Sequence, residues 1–179
     1  MNKDLKKYMS SGKVYRKILI GLGAVLTVVF LILCLTSPGI NIPGLLVTLL
    51  PIALIVVMLL LEARSKKFYK QIEETYNWQE IEADYQSAIS VMKNTLRFGE
   101  NWIFVRNREQ LLQYQEITKI YQYIHKTNFA EDERALKYIN AAGKECVLCK
   151  LQLNGKSDED VKQILTILLA KNPYIEIGY

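Results

Sequence analysis

The stretch KECVLCKLQLNGKSDEDVKQILTILLAKNP (residues 144–173) combines two periodicities on either side of one turn. Its first part alternates, so that Val147, Cys149 and Leu151 fall on one face of a strand. Its second part repeats apolar residues at helical spacing and stops at Pro173. A strand that leads into an amphipathic helix predicts an α+β domain in which the last helix covers a sheet.

The residues before this stretch show a pattern that is typical of short strands separated by turns. A short helix comes first, with Asn77 placed to cap it. The longest predicted strand covers Glu116 to Thr127 and is rich in tyrosine, isoleucine and threonine. We expect a domain at residues 78–179 with five to seven antiparallel strands. These strands would form a sheet or partial barrel closed by the C-terminal amphipathic helix, which Ser157 caps.

The residues upstream of this domain have the opposite character, because no charged residue occurs between positions 18 and 61. Two uncharged, mostly apolar runs of 18 residues lie in this window. As helices they would rise roughly 27 Å each and nearly span a hydrocarbon core of ~30 Å. The pattern predicts a transmembrane helical hairpin, with helices at 18–36 and 44–61 and an external turn at 37–43.

A cleaved signal peptide is the alternative interpretation, because a basic leader precedes the first apolar run. The small-residue cleavage site that such a peptide needs is missing around Cys34, where leucines lie on both sides. A second apolar run also follows at once. The hairpin interpretation is therefore preferred.

The cations that flank the two apolar runs predict an orientation. The bend between the runs carries none, whereas both outer margins are basic. By the positive-inside rule, we expect a multi-pass protein of the cell (inner or plasma) membrane with both termini cytoplasmic. The same cations would attract anionic lipid. They are Lys3, Lys6, Lys7, Lys13, Arg16 and Lys17 in a basic N-terminal segment (1–17), and Arg64, Lys66, Lys67 and Lys70 in a juxtamembrane helical linker (62–77).

The net positive charge of the chain does not indicate nucleic-acid binding. The isoelectric point is about 9.0. However, residues 1–17 contribute +5 to the net charge and residues 77–179 contribute −1. Because no separate basic domain is present to bind phosphate, the sequence predicts no nucleic-acid partner.

Cys146 and Cys149 form the one C-x-x-C spacing of the chain and are weak candidates for a redox pair or half of a zinc site. Zinc needs about four ligands, and only Cys34 and His125 remain to complete a set. In a regular strand, residues three apart face opposite ways with Cα atoms roughly 10 Å apart. A disulfide needs less than about 7 Å. We interpret both cysteines as structural and expect no metal or cofactor.

The other side chains that could take part in catalysis form no recognisable catalytic set. His125 has no nucleophile that the sequence places beside it. Tyr114, Tyr121, Tyr123 and Tyr138 are expected to pack in the core or at a sheet edge rather than line a ligand groove. The chain contains no glycine-rich phosphate loop, no G-x-S-x-G and no H-E-x-x-H. The sequence therefore predicts no enzyme.

The phrases LRFGENWIFV, EITKIYQYIHK and NPYIEIGY resemble those of an uncharacterised family of bacterial two-span membrane proteins with a C-terminal pleckstrin-homology-like (PH-like) domain. The resemblance implies a fold and a role in binding or assembly at the membrane, but no functional residues. We expect a membrane-anchored, non-enzymatic interaction module that presents a PH-like domain at the cytoplasmic face. Its partners would be the lipid bilayer and another protein or a second copy of the chain. The alternatives are a membrane-tethered thiol oxidoreductase that uses Cys146 and Cys149, and an accessory subunit of a transport complex.

Overall fold

The computed structural model describes residues 3–10, 13–36, 42–106, 108–127, 130–153 and 155–178. The chain divides into two compact units, one formed by Met1–Ser11 with Asn77–Tyr179 and the other by Gly12–Tyr76. The helices are α1 (Lys3–Met9), α2 (Lys13–Thr36), α3 (Ile42–Thr75), α4 (Trp78–Ser87) and α5 (Asp158–Lys171). The strands are β1 (Ile89–Val91), β2 (Leu96–Phe98), β3 (Trp102–Val105), β4 (Leu111–Gln113), β5 (Ile117–Thr127), β6 (Ala130–Asn140), β7 (Glu145–Lys150) and β8 (Glu176–Gly178).

Helices α2 and α3 pack against each other within their unit. Gly23 lies at this contact, because a Cβ atom there would come within 2.9 Å of the Ile55 side chain. The Thr27 hydroxyl donates a hydrogen bond of 2.8 Å to the Gly23 carbonyl. Many large apolar side chains of both helices are nevertheless exposed, including Leu22 and Leu60. Exposed apolar surface of this extent is typical of a region that contacts another molecule.

The predicted transmembrane hairpin is wrong, because no helix among the described residues is long and apolar enough to cross a membrane. The spans at 18–36 and 44–61 are therefore withdrawn, and so is the multi-pass cell-membrane localisation with cytoplasmic termini. Helix α2 begins with basic residues, and α3 continues through a charged segment to Thr75, so neither helix is apolar along its whole length. Apolar residues of two helices also serve to pack them together, as Gly23 does here. The predicted external turn at 37–43 lies mostly outside the described residues.

The other unit is α+β and contains two four-stranded sheets. The first is an antiparallel meander in the order β1-β2-β3-β4, and the second has the order β7-β6-β5-β8. In the second sheet β8 runs parallel to β5, while the other pairs are antiparallel. The predicted single sheet or PH-like partial barrel is wrong. A 3₁₀ turn at Tyr114–Glu116 separates β4 from β5, so the described strands on either side belong to different sheets.

Helix α5 packs between the two sheets through one apolar stripe. Its buried residues are Val161, Ile164 and Leu168, which join one core with residues of both sheets. The predicted helix and its end before Pro173 are confirmed. Ser157 precedes the helix, but its side chain does not cap it. The Ser157 hydroxyl instead accepts a hydrogen bond of 2.9 Å from the Gln152 amide.

The basic N-terminal segment contains a short helix, α1, that belongs to the α+β unit. Tyr8 of this helix packs against Tyr85 with ring centroids 5.4 Å apart. The Arg97 guanidinium lies over both rings, 5.3 Å from the centroid of Tyr8 and 4.5 Å from that of Tyr85. The Tyr8 hydroxyl reaches the Phe104 carbonyl at 3.5 Å. The helix therefore covers an aromatic surface formed by α4 and β3.

The turn between β2 and β3 is fixed by one buried carboxylate from α4. Asp84 accepts hydrogen bonds from the amides of Glu100, Asn101 and Trp102, the last two at 3.1 Å and 2.9 Å. Asp84 is only 7% exposed. A Cβ atom at Gly99 would lie 2.5 Å from the same carboxylate, so only glycine fits there. Three charge-assisted bonds thus attach α4 to the first sheet.

We predict that Asp84→Ala lowers the free energy of unfolding by about 2–4 kcal/mol, because the buried Trp102 amide and two partly buried amides lose their acceptor. Urea denaturation of the full chain measures this change. Gln86→Ala, at an exposed position of the same helix, is the matched control and should be near neutral. Equal stability of the two variants would contradict the role assigned to Asp84.

Candidate binding groove

A groove of about 390 Å³ lies between the second sheet and α5. Alternation along β5 directs Ile120, Gln122 and Ile124 to the face that α5 covers. The lining is mostly aliphatic, and Ile124 remains 41% exposed. The lining residues are Ile120, Tyr121, Gln122, Ile124, Leu136, Val161, Leu165, Ile177 and Gly178.

Polar contacts hold α5 at the N-terminal end of the helix. Arg134 of β6 is 6% exposed, and its Nη2 atom lies 2.5 Å from Asp158 Oδ1, at the first residue of the helix. The same nitrogen donates to Gln122 Oε1 at 3.2 Å. A buried guanidinium of this kind needs a charged partner to offset its desolvation, and Asp158 is that partner.

A second set of contacts holds the C-terminal end of α5. The Asn172 side-chain amide donates to the carbonyls of Tyr114 and Ile117, at 3.0 Å and 3.4 Å. Lys171 Nζ lies 2.6 Å from Glu100 Oε2. Because both ends of the helix are attached, the groove between them is a defined feature of the fold.

One edge of β5 is only partly paired. Its edge toward β6 is paired along the strand, from Ile117 to Thr127. On the opposite edge β8 pairs only with Lys119–Tyr121. Among the described strands none covers this edge from Gln122 to Thr127. The uncovered part lies directly beside the groove, which Gln122 and Ile124 line.

Both cysteines of β7 face the core, contrary to the expected opposite orientation. Cys146 is opposite Tyr138, and Cys149 is opposite Leu136, two residues along β6. A β-bulge between these pairs inserts one residue into β7, so the alternation shifts by one position. Both thiols are free. The Cys149 sulfur lies 3.7 Å from that of Met92.

Burial raises the pKa of Cys149 to about 12, and the Arg108 charge offsets only part of this effect. Reactive cysteines instead have a lowered pKa. Among the described residues, no group of three or more histidine, cysteine, aspartate or glutamate side chains is placed to bind a metal ion. The geometry therefore favours a packing role for Cys149.

The other residues singled out by sequence form no common site in the described part of the chain, although the rings of Tyr123 and His125 stack with centroids 6.5 Å apart. Tyr114 and Tyr138 are buried in the core, and only Tyr121 of the four tyrosines lines the groove. Tyr123 packs under Lys137 Nζ, 3.6 Å from the ring centroid. His125 is exposed and lies 3.8 Å from Asp132.

Of the cations predicted to flank a membrane, two form ion pairs within α3. Lys66 pairs with Glu62 at 3.2 Å and Lys70 with Glu74 at 3.6 Å, each within α3. With no spanning helix among the described residues, the positive-inside rule assigns these cations no orientation. The residues Lys6, Lys7, Lys17, Arg64 and Lys67 are exposed. The side chains of Lys3, Lys13 and Arg16 lie outside the described part.

Comparison with known proteins yields one family. A family model described as a domain of unknown function (DUF6709) matches residues 61–179, about two thirds of the chain. No curated protein and no solved structure matches the chain. These findings support the family assignment, but not the two-span, PH-like family that the sequence phrases resemble.

We predict that stability falls in alkaline solution in a way that depends on Cys149. Its pKa is about 12 in the folded chain against 9.0 as a free thiol. The stabilisation that the protonated Cys149 thiol contributes to the folded chain is therefore complete below pH 9 and is lost as the pH rises toward 12. We expect the free energy of unfolding, measured by urea denaturation between pH 8 and 11, to fall with pH more steeply in the wild-type chain than in Cys149→Ala. The difference in slope should be up to about 1.4 kcal/mol per pH unit. Parallel slopes for the two proteins would refute this prediction.

Proposed function

Since the chain belongs to the family of the domain of unknown function DUF6709, we propose its function from the groove: a non-enzymatic interaction module that binds an apolar segment of a partner protein. The site is formed by β5, β8 and α5. The partner is another protein or a second copy of the chain.

The observation that carries this proposal is the groove itself. Its volume of about 390 Å³ is within the range of ligand sites, roughly 300–1,000 Å³. Its walls are aliphatic except for Tyr121 and Gln122. Covering the exposed part of Ile124 with apolar atoms of a partner would stabilise the complex by removing that surface from water.

The chemistry of the lining favours a protein segment over nucleic acid. None of the described residues that line the groove is lysine or arginine, whereas nucleic-acid sites depend on cations that neutralise phosphates. The thiol oxidoreductase alternative needs both Cys146 and Cys149 to react, and the buried, high-pKa Cys149 supplies no thiolate at neutral pH. No observation favours the transport-subunit alternative. We therefore retain the interaction module alone.

We predict that benzene, a small apolar probe, enters the groove of the full chain. The expected result is saturable shifts of the methyl NMR signals of Ile124, Leu165 and Ile177, with a Kd on the order of 1 mM, equivalent to about −4 kcal/mol. Leu165→Trp should abolish these shifts, because the indole fills the space between α5 and β5.

The matched control is Thr166→Trp, which adds the same indole at the next, exposed position of α5. This variant should retain the benzene-dependent shifts. Local methyl signals separate the groove from the exposed apolar surfaces of α2 and α3. The absence of saturable shifts in the wild-type chain would overturn the proposed function.

A further inference from the structure

We propose that the partner segment binds as an added β-strand, in extended conformation, on the edge of β5 from Gln122 to Thr127. It places alternate apolar side chains in the groove and an acidic group beside Lys126. This inference rests on the proposed function and names the form of the partner. It follows from three features of the same edge: main-chain groups that no described strand covers, the position of the apolar walls, and the positive charge of Lys126.

The main-chain groups of this edge select an extended backbone. Strand β8 occupies the edge only as far as Tyr121, which pairs with Gly178. Beyond that residue, no described strand covers the outward amides and carbonyls of β5. A polypeptide in line with β8 would continue the existing ladder, and main-chain bonds of this type give strand addition its affinity. A small apolar molecule in the groove would form no hydrogen bonds with these main-chain groups.

The groove lies where alternate side chains of such a strand would point. Ile177 of β8 already lines it, and it pairs with Ile120 of β5. Side chains of an added strand alternate between the two faces of the sheet, so every second one faces α5. There it would contact Ile124 and Leu165. Main-chain pairing and apolar burial therefore require the same geometry.

Charge at the edge indicates an acidic group in the segment. Lys126 follows Ile124 by two residues on β5, just beyond the part of the strand that lines the groove, and a register shift in the pairing with β6 falls between His125 and Lys126. Two neighbouring cations already have partners, since Lys119 pairs with Glu176 at 2.5 Å and Arg134 pairs with Asp158. Lys126 is exposed and forms no ion pair with any side chain that the structure describes. An aspartate, glutamate or terminal carboxylate of the segment complements this charge.

The test uses a displayed library of random heptapeptides, selected on the full chain and counter-selected on Leu165→Trp. We expect enriched peptides in which apolar residues alternate and an acidic residue lies at one end. A synthetic peptide of the most enriched sequence should slow hydrogen exchange of β5 amides between Gln122 and Thr127 at least tenfold. Lys126→Glu should weaken its binding up to about fivefold, as expected for an exposed ion pair.

Lys144→Glu is the matched charge control, because Lys144 is exposed in the β6–β7 turn at the other end of the sheet. It should leave peptide affinity unchanged. Strand addition is overturned if no groove-dependent peptide is enriched, or if the selected peptides protect no amide of β5. Benzene binding without peptide binding would reject strand addition and keep the apolar site, whereas loss of both would reject the proposed function as well.

Discussion

The structure of the α+β unit depends on the packing of one helical stripe between two sheets. Val161, Ile164 and Leu168 of α5 are each at most 5% exposed and contact a core to which both sheets contribute. Burying side chains of this size stabilises a fold by roughly 1.5–3 kcal/mol each. Without the helix, the apolar faces of both sheets would meet water. Polar contacts at each end, from Arg134 and Asn172, then set where the helix lies along the second sheet.

The groove is a consequence of this arrangement. Helix α5 spans both sheets, but β8 adds only three residues beside β5. Among the described residues, the space between the helix and the rest of β5 is therefore left unfilled, and no described strand covers the adjoining edge. An apolar recess beside an open strand edge satisfies both requirements of peptide recognition, because main-chain bonds supply affinity and side-chain pockets supply selectivity. The wall residues serve the fold and the site at once, since Ile120 and Leu136 belong to the core as well.

Parts of this account could be predicted from local sequence patterns, and other parts could not. The long strand near Glu116–Thr127, the cap at Asn77 and the helix before Pro173 follow from periodicity and capping chemistry, and all three are confirmed. The split into two sheets depends on which strands pair, which local patterns do not determine. The bulge that turns both cysteines inward likewise depends on pairing with β6. Strand β8 is too short for a periodic signal, so the groove was missed. The hairpin prediction is wrong, since no described helix is long and apolar enough to cross a membrane.

The central claim is that an apolar site exists between β5, β8 and α5 before any partner binds. Diffraction from crystals of the full chain under xenon pressure tests it most directly, because xenon enters preformed apolar cavities. The account predicts xenon density within contact distance of Ile124, Leu165 and Ile177, and none there in Leu165→Trp crystals. A groove closed by its own side chains, with no xenon between α5 and β5, would contradict the account.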